Sequence, residues 1–98
     1  MKALTLIQPW ASLIIDGRKK IETRSWCMHH RGVLAIHAGK KVDRAACLRF
    51  GYNPATIPTA AVLGTINVED CVRFPDARAP EDDYGDFTAG RFGTLMSH

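Results

Sequence analysis

Lys19, Lys20, Glu22 and Arg24 crowd into the segment between Gly17 and Trp26, and their types and spacing could do chemistry. Side chains alternate along a strand, so Lys20, Glu22 and Arg24 should share one face while Ile21 and Thr23 take the other. Cations on such a face can meet phosphate. An arginine fork can read a phosphate or a base edge at two points, and a carboxylate between cations can orient them or carry a proton. Trp10 and Trp26 offer planes on which an unpaired base can stack, although either ring could equally be core packing. His37 lies inside the apolar run Val33-Leu34-Ala35-Ile36-His37-Ala38. A histidine there is either satisfied by the backbone or available to a ligand. Were the site to cleave RNA, Lys19, Glu22 and His37 would be the catalytic candidates: Lys or Arg would stabilise a pentacovalent phosphate while Glu22 or His37 moved protons. Cys27, His29 and His30 lack two further well-spaced ligands, so no metal centre is expected. No cofactor is expected either, and the use of a divalent metal by a cleavage activity is left open.

Charge sharpens the expectation. The 98 residues carry a net charge of +3, but residues 1–49 hold ten Lys or Arg against three acids, whereas residues 50–98 hold three against seven. A basic half suits phosphates, because each neutralised phosphate releases counterions and adds affinity that does not depend on sequence. Lys19, Lys20, Arg24, Arg31 and Lys40 are therefore the cationic candidates for a nucleic-acid surface, with Trp10 and Trp26 as the aromatic ones. With 46% hydrophobic and 23% charged residues the chain is neither disordered in composition nor membrane-like. No apolar run approaches the roughly 20 residues of a membrane helix. The N-terminus does not lead into a secretion-type apolar region, and Cys27, Cys47 and Cys71 form no C-x-x-C pair. Free thiols in a reducing cytoplasm are the expectation.

The elements that must position these residues can be read in outline. Lys2 to Ile7 suits a first strand, Gln8-Pro9 a turn, and Trp10 to Gly17 a short helix with Gly17 as its left-handed stop. Arg18 to Trp26 reads as a strand, Cys27 to Gly32 as a polar loop, and Val33 to Ala38 as a buried strand ended by Gly39. Lys40 to Phe50 has helical apolar spacing with Gly51 as its stop. Ala60 to Val68 is the most β-like stretch and should run on towards Phe74, with Gly64 marking a bulge or close approach. Pro75 to Asp86 is an acidic surface loop, and Phe87 to Met96 could add a last short strand.

Three blocks occur in order: Gln8-Pro9-Trp10-Ala11-Ser12-Leu13, then Gly17-Arg18-Lys19-Lys20-Ile21-Glu22-Thr23-Arg24-Ser25-Trp26, then Arg31-Gly32-Val33-Leu34-Ala35-Ile36-His37-Ala38. Together with Leu63 to Cys71 they strongly resemble the ASCH domain family, whose motifs take the forms QPWASL, G-x-K-x-x-E-x-R-S-W and RG-x-L-x-I-H-A. The resemblance implies one α+β domain over residues 1–98, a small PUA-like β-barrel with flanking helices that binds RNA or a nucleotide-like ligand. It also implies a cleft on the G-x-K-x-x-E-x-R strand, with Lys19 at its start and His37 in its lining. Ribonuclease activity has been attributed to the family. Some small relatives are amidohydrolases of acylated pyrimidine nucleosides, using a Thr nucleophile activated by Lys. Here Lys19 matches the lysine, but Glu22 occupies the nucleophile's position and Thr23 should face away, which argues against that activity. The chain also lacks the further strand and Trp-containing segment of many members, as a short or C-terminally truncated form would. The barrel is then expected to be incomplete, exposing a sheet edge through which two copies could pair.

Overall fold

The computed structural model describes residues 1–98. Seven elements follow one another: β1 (Ala3–Gln8), α1 (Trp10–Ile15), β2 (Ile21–Arg24), β3 (Gly32–Val42), α2 (Arg44–Arg49), β4 (Ala61–Arg73) and β5 (Phe92–Ser97). The five strands form one sheet in the order β1-β3-β4-β5-β2. Only β1 and β3 run parallel; the other neighbours are antiparallel. The result is an α+β half-barrel whose two unpaired edges belong to β1 and β2.

Local chemistry explains the start. Gln8 is fully buried, and its side chain bridges three groups: Nε2 donates to Ser12 Oγ at 2.9 Å and to the Pro58 carbonyl at 2.7 Å, while Oε1 accepts from Ser12 N at 3.0 Å. It thereby satisfies an N–H in the first turn of α1 that Pro9 cannot cap. Ala11 and Ile14 bury against Leu6, Leu34, Ile36, Ile66, Val68 and Met96, the main core between helix and sheet. A smaller core of Ile21, Val72, Phe74 and Ala79 lies at the β2–β5 end, with Phe87 and Leu95 packed on it.

Two glycines show how tightly the elements approach. A Cβ on Gly64 would stand 3.2 Å from Ile15 Cδ1, so α1 rests directly on β4 there, and the β3–β4 register shifts beside it. Both readings of Gly64, bulge and close approach, therefore hold. Gly39, expected to end β3, does not: the strand continues to Val42, pairing with Gln8, and a Cβ at Gly39 would press Thr5 Cγ2 at 3.3 Å. A small residue here lets β1 lie close, and the tertiary pairing overrides glycine's poor strand propensity. In turn α2 begins later than its apolar spacing suggests. Asp43 is its N-cap, its carboxylate accepting from Ala46 N at 3.0 Å.

The last short strand forms, over Phe92–Ser97 and not from Phe87, and it sits between β4 and β2, pairing with both. A Cβ at Gly93 would fall 2.6 Å from Phe74 and 2.9 Å from Ile21, so only glycine fits at this crossing. The two open edges of the sheet therefore belong to β1 and β2.

Candidate functional site

Between the edges β1 and β2 lies a cleft of about 320 Å³, lined by Thr5, Leu6 and Ile7 from β1, Trp10 from α1, Lys19, Glu22, Thr23 and Arg24 at β2, and Tyr84 from the acidic loop. It is the seam where the half-barrel fails to close.

Charge inside the seam is arranged around one carboxylate. Lys19 is 2% exposed; its Nζ lies 3.5 Å from Glu22 Oε1 and donates to the Tyr84 carbonyl at 2.6 Å. Arg24 Nη2 donates to Glu22 Oε2 at 3.4 Å. Burial holds the Lys19 ammonium below its ordinary lysine value, partly offset by the Glu22 and Asp82 carboxylates. One donor is left over. Arg24 Nε is buried and has no hydrogen-bond partner.

Aromatic rings frame these cations. Lys19 Nζ stands 5.9 Å from the Trp10 ring centre, and the Arg24 guanidinium 5.4 Å from that of Trp26, a ring that is 51% exposed. Phe50 packs edge-on to Trp10 at 5.8 Å and tilts against Tyr84 at 5.1 Å, joining helix, cleft and loop. Thr5 Oγ1 lies 3.2 Å from His37 Nδ1, so His37 reaches the seam through a hydroxyl.

The structure thus brings together Trp10, Lys19, Glu22 and Arg24, with Trp26 beside them under Arg24 and His37 behind Thr5. It does not bring in three other residues read from the sequence. Lys20 is exposed in a separate groove with Arg18, Arg78, Glu81 and Asp82. The alternation that placed Lys20 beside Glu22 does not reach back so far, because β2 begins at Ile21. The preceding turn is set by Lys19 N donating to the Leu13 carbonyl, which tucks Lys19 under instead. Arg31 is occupied elsewhere, donating to the Met28 and His30 carbonyls and pairing with Asp70. Lys40 is exposed near the end of β3. Thr23, as its strand position requires, turns from Glu22 to accept from Asp86 N at 3.1 Å.

Sequence reading missed Thr5, Ile7 and Tyr84. Thr5 and Ile7 could have been found from their alternation with buried Leu6 and Gln8, whereas Tyr84 gives no local signal beyond being the one aromatic among Glu81, Asp82, Asp83 and Asp86. A second crease of about 350 Å³, lined by residues that include Phe74, Pro75, Glu81 and Phe87, holds no cation and is unsuited to an anion. No group of three or more His, Cys, Asp or Glu side chains is placed to hold a metal, and no helix is long and apolar enough to cross a membrane.

A model of the ASCH domain matches residues 4–86. Activating signal cointegrator 1 of Mus musculus is 34% identical and that of Homo sapiens 33% identical, each over 81% of this chain. The chain spans 17% of the length of either relative. The family match takes in β1 through β4 and every residue that lines the cleft, so the chain belongs to the ASCH domain family, a PUA-like fold associated with RNA binding.

Proposed function

We propose that this chain binds single-stranded RNA through the seam between β1 and β2. What carries the reading is the unpartnered Arg24 Nε, a buried guanidinium donor beside a half-exposed indole. A buried donor without an acceptor costs about 1–3 kcal/mol, and a phosphate or base oxygen entering the seam would satisfy it. Trp26 then offers a face to the neighbouring base, while Lys19 and Glu22 hold the Arg24 side of the cleft in place.

The test is binding of labelled single-stranded RNA to wild type, Arg24→Ala and Trp26→Ala. Loss of a charged hydrogen bond or of one stacked base is worth about 1.5–3 kcal/mol, so each variant should bind roughly tenfold or more weakly. Unchanged affinity in both would sink the proposal.

A second reading is cleavage of that RNA. It is favoured by the buried Lys19–Glu22 pair next to Thr5 and His37, which puts cationic and proton-carrying groups on one seam. Scoring cleavage alongside the shift, with and without divalent metal, and repeating it with Glu22→Gln, separates the two. Cleavage that disappears in a folded Glu22→Gln protein would make this a ribonuclease. Two copies pairing along β1 or β2 would use the strands that border the cleft, so RNA and self-association should compete, as sedimentation with and without RNA would show.

A further inference from the structure

Resting on the RNA reading, we infer that Arg44 and Arg49 of α2, flanked by the exposed Lys40 and Lys41 at the end of β3, form a phosphate-binding surface that continues the cleft, so that a bound strand leaves the seam over Phe50 and runs along α2.

The inference begins with what the cleft lacks. Both of its cations share Glu22, and the loop carrying Glu81, Asp82 and Asp83 adjoins it through Tyr84. Such a site can orient a nucleotide, but it carries little unneutralised positive charge to attract a polyanion. Charge of that kind lies elsewhere. Arg18, Lys19, Arg24, Arg31, Arg78 and Arg91 all sit in ion pairs. Lys40, Lys41, Arg44 and Arg49 sit in none and are all exposed. The one carboxylate among them, Asp43, caps α2.

The geometry of α2 suits a strand lying over it. Ala46 and Cys47 face inward, so Arg44 and Arg49 flank an outward face centred on Leu48, which is 68% exposed. Cations beside an apolar surface can hold phosphates while ribose or base edges rest between them. The connection to the cleft is direct. The Arg49 guanidinium lies 4.8 Å from the Phe50 ring centre, and Phe50 touches both Trp10 and Tyr84 of the cleft lining.

The test compares two RNA lengths, a trinucleotide that can seat a nucleotide in the cleft but is too short to follow α2, and an oligomer of about 12 nucleotides, within the range one small barrel can hold. The variant Lys40→Ala/Lys41→Ala/Arg44→Ala/Arg49→Ala is set beside Lys20→Ala/Arg73→Ala, which removes exposed charge that is in no ion pair and lies off the path, Lys20 being in a separate groove. Each phosphate contact on a single strand contributes about 0.7 to the log–log salt slope, so the α2 variant should flatten the oligomer's slope by about 2 to 3. It should also bind the oligomer at least about tenfold more weakly near 0.1 M salt, yet hold the trinucleotide as wild type does. An oligomer slope unchanged by the α2 variant overturns the inference and leaves the cleft reading standing. An equal loss per charge in the off-path variant also overturns it, since only bulk charge would then matter. If wild type binds neither RNA, the cleft reading fails and takes the inference with it.

Discussion

The seam and the α2 surface both gather cations, yet in opposite physical states. In the seam, Lys19 is 2% exposed and shares a nearly buried carboxylate with Arg24; on α2 and at the end of β3 before it, the cations are exposed and in no ion pair. A buried pair gives back in Coulomb attraction much of what desolvation costs, and what it gains is fixed geometry. An exposed unpaired cation does the reverse, offering long-range, salt-screened attraction and almost no geometry. On the proposed RNA reading, selectivity for a nucleotide would belong to the seam and salt-dependent affinity to the α2 surface.

The largest effect that can break this contrast is on stability. Glu22→Ala leaves Lys19 and Arg24 without their shared carboxylate, and breaking a buried pair in this way costs about 3 kcal/mol or more. For a domain of this size that lowers Tm by about 15 °C. Arg44→Ala, which removes no paired group, should stay within about 0.5 kcal/mol, and Arg49→Ala, which loses only an exposed contact with the Phe50 ring, within about 1 kcal/mol. Thermal unfolding of the three proteins decides it. A Glu22→Ala protein as stable as wild type would mean that the seam's ion cluster contributes no fixed geometry.

Next in size is Asp43, where capping and charge can be separated. Asp43→Ala removes the acceptor for Ala46 N and should cost about 1 kcal/mol, whereas Asp43→Asn can still cap and should lie within a few tenths. Asp43→Asn also removes the sole carboxylate from the α2 surface, so it should bind a long RNA more tightly than wild type at low salt. Weaker binding by Asp43→Asn would count against α2 as a phosphate surface.

Smaller still is the alkaline behaviour of Lys19. Its folded pKa lies below its unfolded value, so just under the ordinary lysine value of 10.5 the unfolded chain retains a proton that the folded chain has lost. Stability contributed by this group therefore rises with pH through that window, and the cost of burying the charge is felt fully below it. Lys19→Met should abolish this rise in a denaturant series across alkaline pH. Trinucleotide binding should weaken over the same window in wild type, as Lys19 loses its charge.

How much of this was legible depends on the range over which each feature is determined. The shared face of Glu22 and Arg24 follows from alternation within one strand, and the helical face of α2 from its apolar spacing. Lys20 was misplaced because the local rule ran past the end of β2, where the Lys19 N–H bonded to Leu13 sets the chain's path. The extension of β3 beyond Gly39 depends on β1, and Tyr84 enters the site from 65 residues beyond Lys19. No window along the sequence contains such contacts. The three blocks located the seam because they hold Trp10 and its β2 wall, but the β1 wall of Thr5 to Ile7 and the acidic loop that closes it lie outside them.

The finest test uses the thiols, which report on both regions without altering charge. Cys47 is fully buried beneath α2, and burial raises its pKa. Cys71 on β4 is half-buried; burial, and then a hydrogen bond with Cys27, push its pKa up to about 11. Only the thiolate attacks an alkylating agent, so near pH 8 Cys71 should react slowly. Cys47 must wait for α2 to lift from the sheet, which links its rate to an opening equilibrium. Cys27, half-buried on the loop next to Trp26, should be modified first. A trinucleotide seated against Trp26 should slow Cys27 and leave Cys47 unchanged, whereas a longer RNA lying over α2 should slow both. Mass spectrometry of timed alkylation reads all three. Cys47 reacting as fast as Cys27 would show that α2 opens independently of the barrel; a trinucleotide that protected Cys47 as strongly as Cys27 would erase the distinction between seam and surface.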